Sequence, residues 1–174
     1  MMKKAKWLYD QFIYYPIFTA SLLLMTTVAR LKFHKATSFL AKFNAKTVIR
    51  SRKGRHKEEL QKIGKEWARM FPNDMQRLIS EDQDTVIYET HTWCPLRGTG
   101  DVDACYRVME FDRDLHHTIG GQFIVLASQA EPGRKTCKVA IRKNGVSTED
   151  LIHAHDRVKR EKKKNEIPVA QINE

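Results

Sequence analysis

Three cysteines, Cys94, Cys105 and Cys137, fall between residues 85 and 143, together with a carboxylate and a pair of histidines that could share their chemistry. Cys94 follows a run with strand character and precedes a proline, so its thiol sits where a strand end can face a pocket. A thiolate at that point needs a cation, a helix N-terminus or a base close by. Arg97 and the helix expected to start near Asp101 are the sources the spacing offers, whereas His91, three residues back along a strand, lies on the opposite face. Asp112 and His116 are four apart on one helical stripe, within hydrogen-bonding reach. A carboxylate holding an imidazole is a common way to fix a general base or a metal ligand. Gly98-Thr99-Gly100 beside Arg97 offers backbone N–H groups and a guanidinium to an anionic group such as a carboxylate. Cys137 shares a strand face with Val139 and Ile141, and Cys105 shares the helical stripe with Met109; both positions suit core packing as well as a site. His116-His117 with a cysteine matches no standard zinc spacing, so neither a metal nor a cofactor is expected.

The elements that would position these groups follow from periodicity. Residues 85–93 alternate Val86, Tyr88, Thr90 and Thr92 against Ile87, Glu89, His91 and Trp93, the period of a strand, and Cys94-Pro95 ends it. Val102, Cys105, Tyr106, Met109, Asp112 and His116 recur at threes and fours, which predicts a helix over 101–117 with Asp101 or Thr99 as N-cap. Gly120-Gly121 stops it. Residues 122–129 and 135–143 read as strands joined through Glu131-Pro132-Gly133, an antiparallel hairpin.

A strand ending in Cys94-Pro95, a helix carrying Asp112-Arg113-Asp114, a glycine at 120 or 121, and a hairpin whose last strand starts with Cys137 together resemble the L-2-amino-thiazoline-4-carboxylic acid hydrolase family. The resemblance covers residues 85–143, about a third of the chain. It implies a hydrolase that opens a cyclic amidine ring by adding water, with Cys94, Asp112 and Cys137 in the site, Arg113 beside it, and a substrate carboxylate held by Arg97, Gly98 and Gly100. Phe111 stands where the family has a further cysteine.

Outside this stretch the chain looks like anchor and cover. Residues 12–29 carry no charge, at the lower edge of what crosses a bilayer, with Tyr14 and Tyr15 suited to an interface and Pro16 near the helix start. Three readings are open: a retained single span, a cleaved signal peptide ending at Thr27-Val28-Ala29, and a helix lying in the interface or buried against a partner protein. The span is the expectation carried forward, with the domain in the cytoplasm because the flank with Arg30, Lys32 and Lys35 is the more basic. The net charge of +10 belongs wholly to residues 30–70, where thirteen Lys/Arg face three Glu. That pattern fits a solvated face or attraction to anionic headgroups; the aromatic platform that a nucleic-acid partner would use is missing. An odd number of cysteines without zinc-ribbon spacing indicates reduced thiols.

The expected fold is α+β: an N-terminal transmembrane helix (residues 1–35), a domain at 36–156 with helices 36–50 and 55–70 over a small antiparallel sheet with one packed helix, and a basic tail at 157–174. Met75–Ile79 is expected to add a helical turn, and Ser147 to start a helix. Two functions are open. One is a membrane-anchored hydrolase of a small cyclic amidine, with Cys94, Asp112, His116 and Cys137 catalytic and Arg97, Gly98, Gly100 and Arg113 binding. The other is a non-catalytic accessory subunit of a membrane complex.

Overall fold

The computed structural model describes residues 10–72 and 75–165. A turn of π-helix at Asp10–Tyr14 leads into α1 (Tyr15–Arg30), followed by α2 (His34–Ser51) and α3 (Leu60–Met70). Then come β1 (Gln76–Glu81), β2 (Val86–Thr90), α4 (Val102–Val108), α5 (Glu110–Ile119), β3 (Gly121–Ala127), β4 (Cys137–Lys143) and α6 (Ala154–Asn165). The strands form one antiparallel sheet in the order β1-β2-β4-β3, which makes the chain α+β. The β3–β4 hairpin pairs as its turn residues require, with Phe123 opposite Ile141 and Val125 opposite Val139.

Three expectations need correction. Residues 76–81 form edge strand β1 instead of a helical turn. Their pairing with β2 overrides the weak local signal, because the edge of β2 would otherwise leave N–H and C=O groups without partners. The expected single helix over 101–117 is two helices jointed at Met109, so α4 and α5 can each pack their own face. The helix expected from Ser147 starts at Ala154. The segment before it is used differently: Arg142 reaches across from β4 to the Ser147 carbonyl and the Asp150 carboxylate, and donates to Thr85 Oγ1 at 2.9 Å. Of the expected basic tail, 154–165 is helix α6 and 166–174 lies outside the described residues, as do Lys3, Lys4 and Lys6.

α3 covers the sheet with the face its spacing predicts: Leu60, Ile63, Trp67 and Met70 are all buried. Gly64 lets the helix approach closely, since a Cβ there would meet the Tyr88 ring at 2.9 Å. α4 starts as expected, with Asp101 Oδ1 accepting from Ala104 N at 2.9 Å. α5 ends at Gly120, with φ 107° and the Lys57 carbonyl 2.3 Å from where a Cβ would stand, so only glycine fits.

α1 is packed along the domain rather than projecting from it. Tyr14, Met25, Thr26 and Ala29 are buried, and Phe18 and Leu22 pack against the core. Phe18 meets the rings of Phe71 and Phe111 at centroid distances of 5.8 and 6.3 Å. The Arg107 guanidinium donates to the Ala29 carbonyl at 3.0 Å, holding a cation at the helix C-terminus where the backbone dipole favours it. The chain turns into α2 through Lys32, whose positive φ of 62° takes the place usually given to glycine.

Candidate functional site

One apolar pocket lies between α1, α3, the α4–α5 joint and the sheet. Its cavity is about 70 Å³; a single water needs roughly 10–15 Å³. Cys94, Cys105, Cys137 and Asp112, from four separate parts of the chain, all line it. Phe18 and Met25 of α1 form one wall, Trp67 another, and the half-exposed Trp93 the rim.

Each thiol is held differently. Cys105 accepts from Ser128 Oγ at 3.0 Å and Cys137 from the Gln129 backbone N–H at 3.3 Å. Burial pushes the Cys105 thiol far up and Cys137 up to about 11, so both stay protonated at neutral pH. Cys94 is partly buried, and burial raises its thiol too, outweighing the hydrogen bonds to the Leu96 and Arg97 backbone and the Arg97 charge. The cation expected to activate Cys94 is therefore present, and desolvation overrides it.

Asp112 is the pocket's carboxyl group among the described lining residues. Burial pushes it up to about 7, opposed by the Trp67 indole N–H, which donates to Oδ1 at 3.3 Å, and by the Arg113 charge. Both protonation states are then populated near neutral pH.

The expected Asp112–His116 pair is not formed between side chains. His116 Nδ1 bonds the Asp112 backbone carbonyl at 2.8 Å, so that nitrogen carries the hydrogen. The ring is fully buried between Trp67 and Phe123, at centroid distances of 5.1 and 4.7 Å, and Nε2 has no hydrogen-bond partner among the described residues. Burial lowers its pKa to about 3, which keeps the imidazole neutral. It locks the turn that presents Asp112 and is not itself among the pocket's lining residues.

The residues expected to hold a carboxylate are engaged inside the protein. Gly98 N–H donates to the Gln129 carbonyl and Gly100 N–H to the Ala130 carbonyl, both at 2.8 Å. Arg97 donates to Gln129 Oε1 at 2.8 Å and to the Thr92 carbonyl at 3.1 Å. Arg113 stacks 4.3 Å over the Tyr106 ring and donates to the Tyr106 carbonyl, away from the pocket. His91 pairs with Glu89 at 2.7 Å. Among the described residues no group of three or more His, Cys, Asp or Glu side chains is arranged to hold a metal ion.

Sequence reasoning missed Gln129. It is fully buried, and its amide joins Arg97 to Thr92 while its backbone N–H meets Cys137, so it fastens the Cys94 loop to the sheet. A polar residue just past a strand end was the available signal. It also missed Trp67 as the Asp112 donor, because a tryptophan on a core stripe gives no hint of where its N–H points.

The chain matches no family model, no curated protein and no solved structure.

Proposed function

We propose that the protein is a membrane-associated hydrolase-like enzyme that opens a small cyclic amidine ring by adding water, with Asp112 as the proton carrier. The observation that carries this reading is the convergence of Cys94, Asp112 and Cys137, the pieces of the amino-thiazoline carboxylate hydrolase pattern, on one pocket. The Asp112 carboxylate takes a proton from water as the water oxygen bonds to the carbon of the protonated amidine, and the C=N π pair moves onto nitrogen. Protonated Asp112 then gives its proton to the ring nitrogen as the ring C–N bond breaks with its electron pair on that nitrogen, while a lone pair on the added oxygen forms C=O and the O–H proton leaves to water. Trp67 N–H steadies the carboxylate form. The three thiols are protonated, so water is the nucleophile, and Cys94 serves as a weak S–H donor and contact at the rim. With Arg97, Gly98 and Gly100 engaged internally, the fitting substrate is a ring that carries no carboxylate.

α1 belongs to a stretch, Phe12–Arg30, that is long and apolar enough to cross a membrane. The more basic C-terminal flank favours a cytoplasmic domain, and residues 30–70 favour anionic headgroups.

The test is turnover of a panel of small cyclic amidines by the full chain. Asp112→Asn is expected to lower the rate by about 10²- to 10⁴-fold, and Cys94→Ala by about tenfold or less. No turnover across the panel, or full turnover by Asp112→Asn, would reject the assignment. A second reading, the non-catalytic accessory subunit, is favoured by the internal engagement of the residues expected to bind a carboxylate. Extraction from membranes with stoichiometric partners, together with no turnover, would select it.

A further inference from the structure

We infer that the α1–α2 hairpin lies in the plane of one leaflet of an anionic bilayer, as an embedding platform, and does not thread α1 across the membrane. This rests on the membrane association proposed above and specifies its mode.

The inner side of α1 is already committed. Met25 and Ala29 are buried almost completely, and Phe18 and Leu22 form part of the pocket wall. Arg107 holds the Ala29 carbonyl, and Asn44 of α2 donates to Ser21 Oγ at 2.6 Å. A crossing helix would be surrounded by lipid along its length. The domain would then have to give up every one of these contacts, and the pocket would lose a wall.

The outer side is apolar and uncovered. Ile13, Ile17, Leu24 and Leu31 follow one another at spacings of four and seven, so they form a single stripe, and all are exposed. The stripe continues past the turn through exposed Phe33 to α2, where Phe39 and Phe43 are 68% and 59% exposed with their rings 6.4 Å apart. These seven large apolar side chains exceed the scattered exposure of an ordinary surface.

Charge identifies the occupant. From Gln11 to Lys57 the sequence holds no Asp or Glu, while Arg30 to Lys57 carries ten Lys/Arg. On α2, Lys35, Lys42 and Lys46 stand on the same side as Phe39 by helical spacing, each exposed. An apolar stripe edged mainly by cations, of which Lys42 pairs with Glu110 at 3.7 Å and Arg30 with Asp101 at 3.8 Å, matches headgroups over acyl chains: the side chains enter the boundary region and the ammonium groups meet lipid phosphates. Phe39 and Phe43 make the inference specific, because they lie outside the only stretch apolar enough to cross among the described residues.

The experiment uses the full chain in two forms. In flotation with phosphatidylcholine–phosphatidylserine vesicles, the wild type is expected to float, and to do so about tenfold less with phosphatidylcholine alone. Phe39→Glu/Phe43→Glu is expected to bind about tenfold more weakly at an unchanged melting temperature. In inside-out membrane vesicles from expressing cells, Lys3→Cys and Glu149→Cys are each treated with a membrane-impermeant maleimide and read site by site by mass spectrometry. Labelling of both in closed vesicles supports the in-plane arrangement. Protection of Lys3→Cys until the vesicles are opened means a crossing helix, and overturns the inference while leaving membrane association standing. Failure to float with any vesicle, or binding unaffected by Phe39→Glu/Phe43→Glu, also overturns it; the former removes membrane association as well.

Discussion

The pocket and the outer face of the α1–α2 hairpin are both apolar, and the same helix contributes to each. Around the pocket, Phe18 of α1 meets Phe71 and Phe111, and the polar groups enclosed there, three thiols and Asp112, are shifted toward their neutral forms. On the outer face Ile13, Ile17 and Leu24 are exposed, and the groups along the edge are mainly exposed cations, two of which pair with acidic groups of the domain. Apolar side chains therefore serve two ends. Enclosed, they set the protonation of the groups beside them; uncovered and edged by charge, they make a surface for something outside the chain.

The largest expected effect sharpens that contrast. Leu115 and Leu24 are both helical leucines, one fully buried and the other 53% exposed. Leu115→Ala should destabilise by about 2–5 kcal/mol, whereas Leu24→Ala should stay within about 0.5 kcal/mol in the absence of lipid. Denaturant unfolding of the two variants measures both. A large loss from Leu24→Ala would mean that the outer face is covered in solution.

The next effect is in pH dependence. Unfolded, Asp112 releases its proton near 3.8; folded, it keeps it to about 7. Its contribution is whole below the unfolded value and is lost as pH rises through 7. His116 runs the other way, with 6.5 unfolded and about 3 folded, so its contribution is present above 6.5 and lost as pH falls toward 3. Between about pH 4 and 6.5 the two slopes oppose each other, each about 1.4 kcal/mol per pH unit. Relative to wild type, Asp112→Asn should therefore gain stability as pH rises through this window, and His116→Phe should lose it. Urea midpoints across the window give the slopes; parallel curves for all three proteins would show that burial does not govern these groups.

Thiol reactivity separates the rim from the interior. At near-neutral pH in the folded protein, Cys94 should react slowly, and Cys105 and Cys137 only after unfolding, as read per residue by mass spectrometry. Rapid reaction of Cys94 would indicate a thiolate and restore it as nucleophile. The smallest effect is expected from Arg113→Ala, which removes a stacking contact of about 0.5–1 kcal/mol and a charge that opposes the rise at Asp112, so turnover near neutral pH should fall slightly as more of the carboxyl stays protonated.

Much of the sheet side of this molecule was legible in the sequence. The alternation at 86–92, the Glu131-Pro132-Gly133 turn and the stripe Leu60, Ile63, Trp67, Met70 each describe local periodicity that tertiary packing preserved. β1 was not legible, because an edge strand with one buried-side residue in six has little pattern to read. The convergence of Cys94, Asp112 and Cys137 was suggested only by resemblance, and spacing alone could not bring residues 43 positions apart to one cavity. His116 was misjudged because helical spacing gives reach between side chains, not which oxygen the ring chooses; the backbone carbonyl one turn back was nearer. The packing of α1 was hidden because its run is apolar on every side, which says nothing about which side is covered.

The most direct test of the central claim is the titration of the Asp112 carboxyl group, followed by carbon-detected NMR and assigned by its loss in Asp112→Asn. An apparent pKa near 7, shifting when a cyclic amidine binds, is the predicted result. A pKa at the ordinary aspartate value, unmoved by any such ligand, would contradict the account and leave the pocket without its proton carrier.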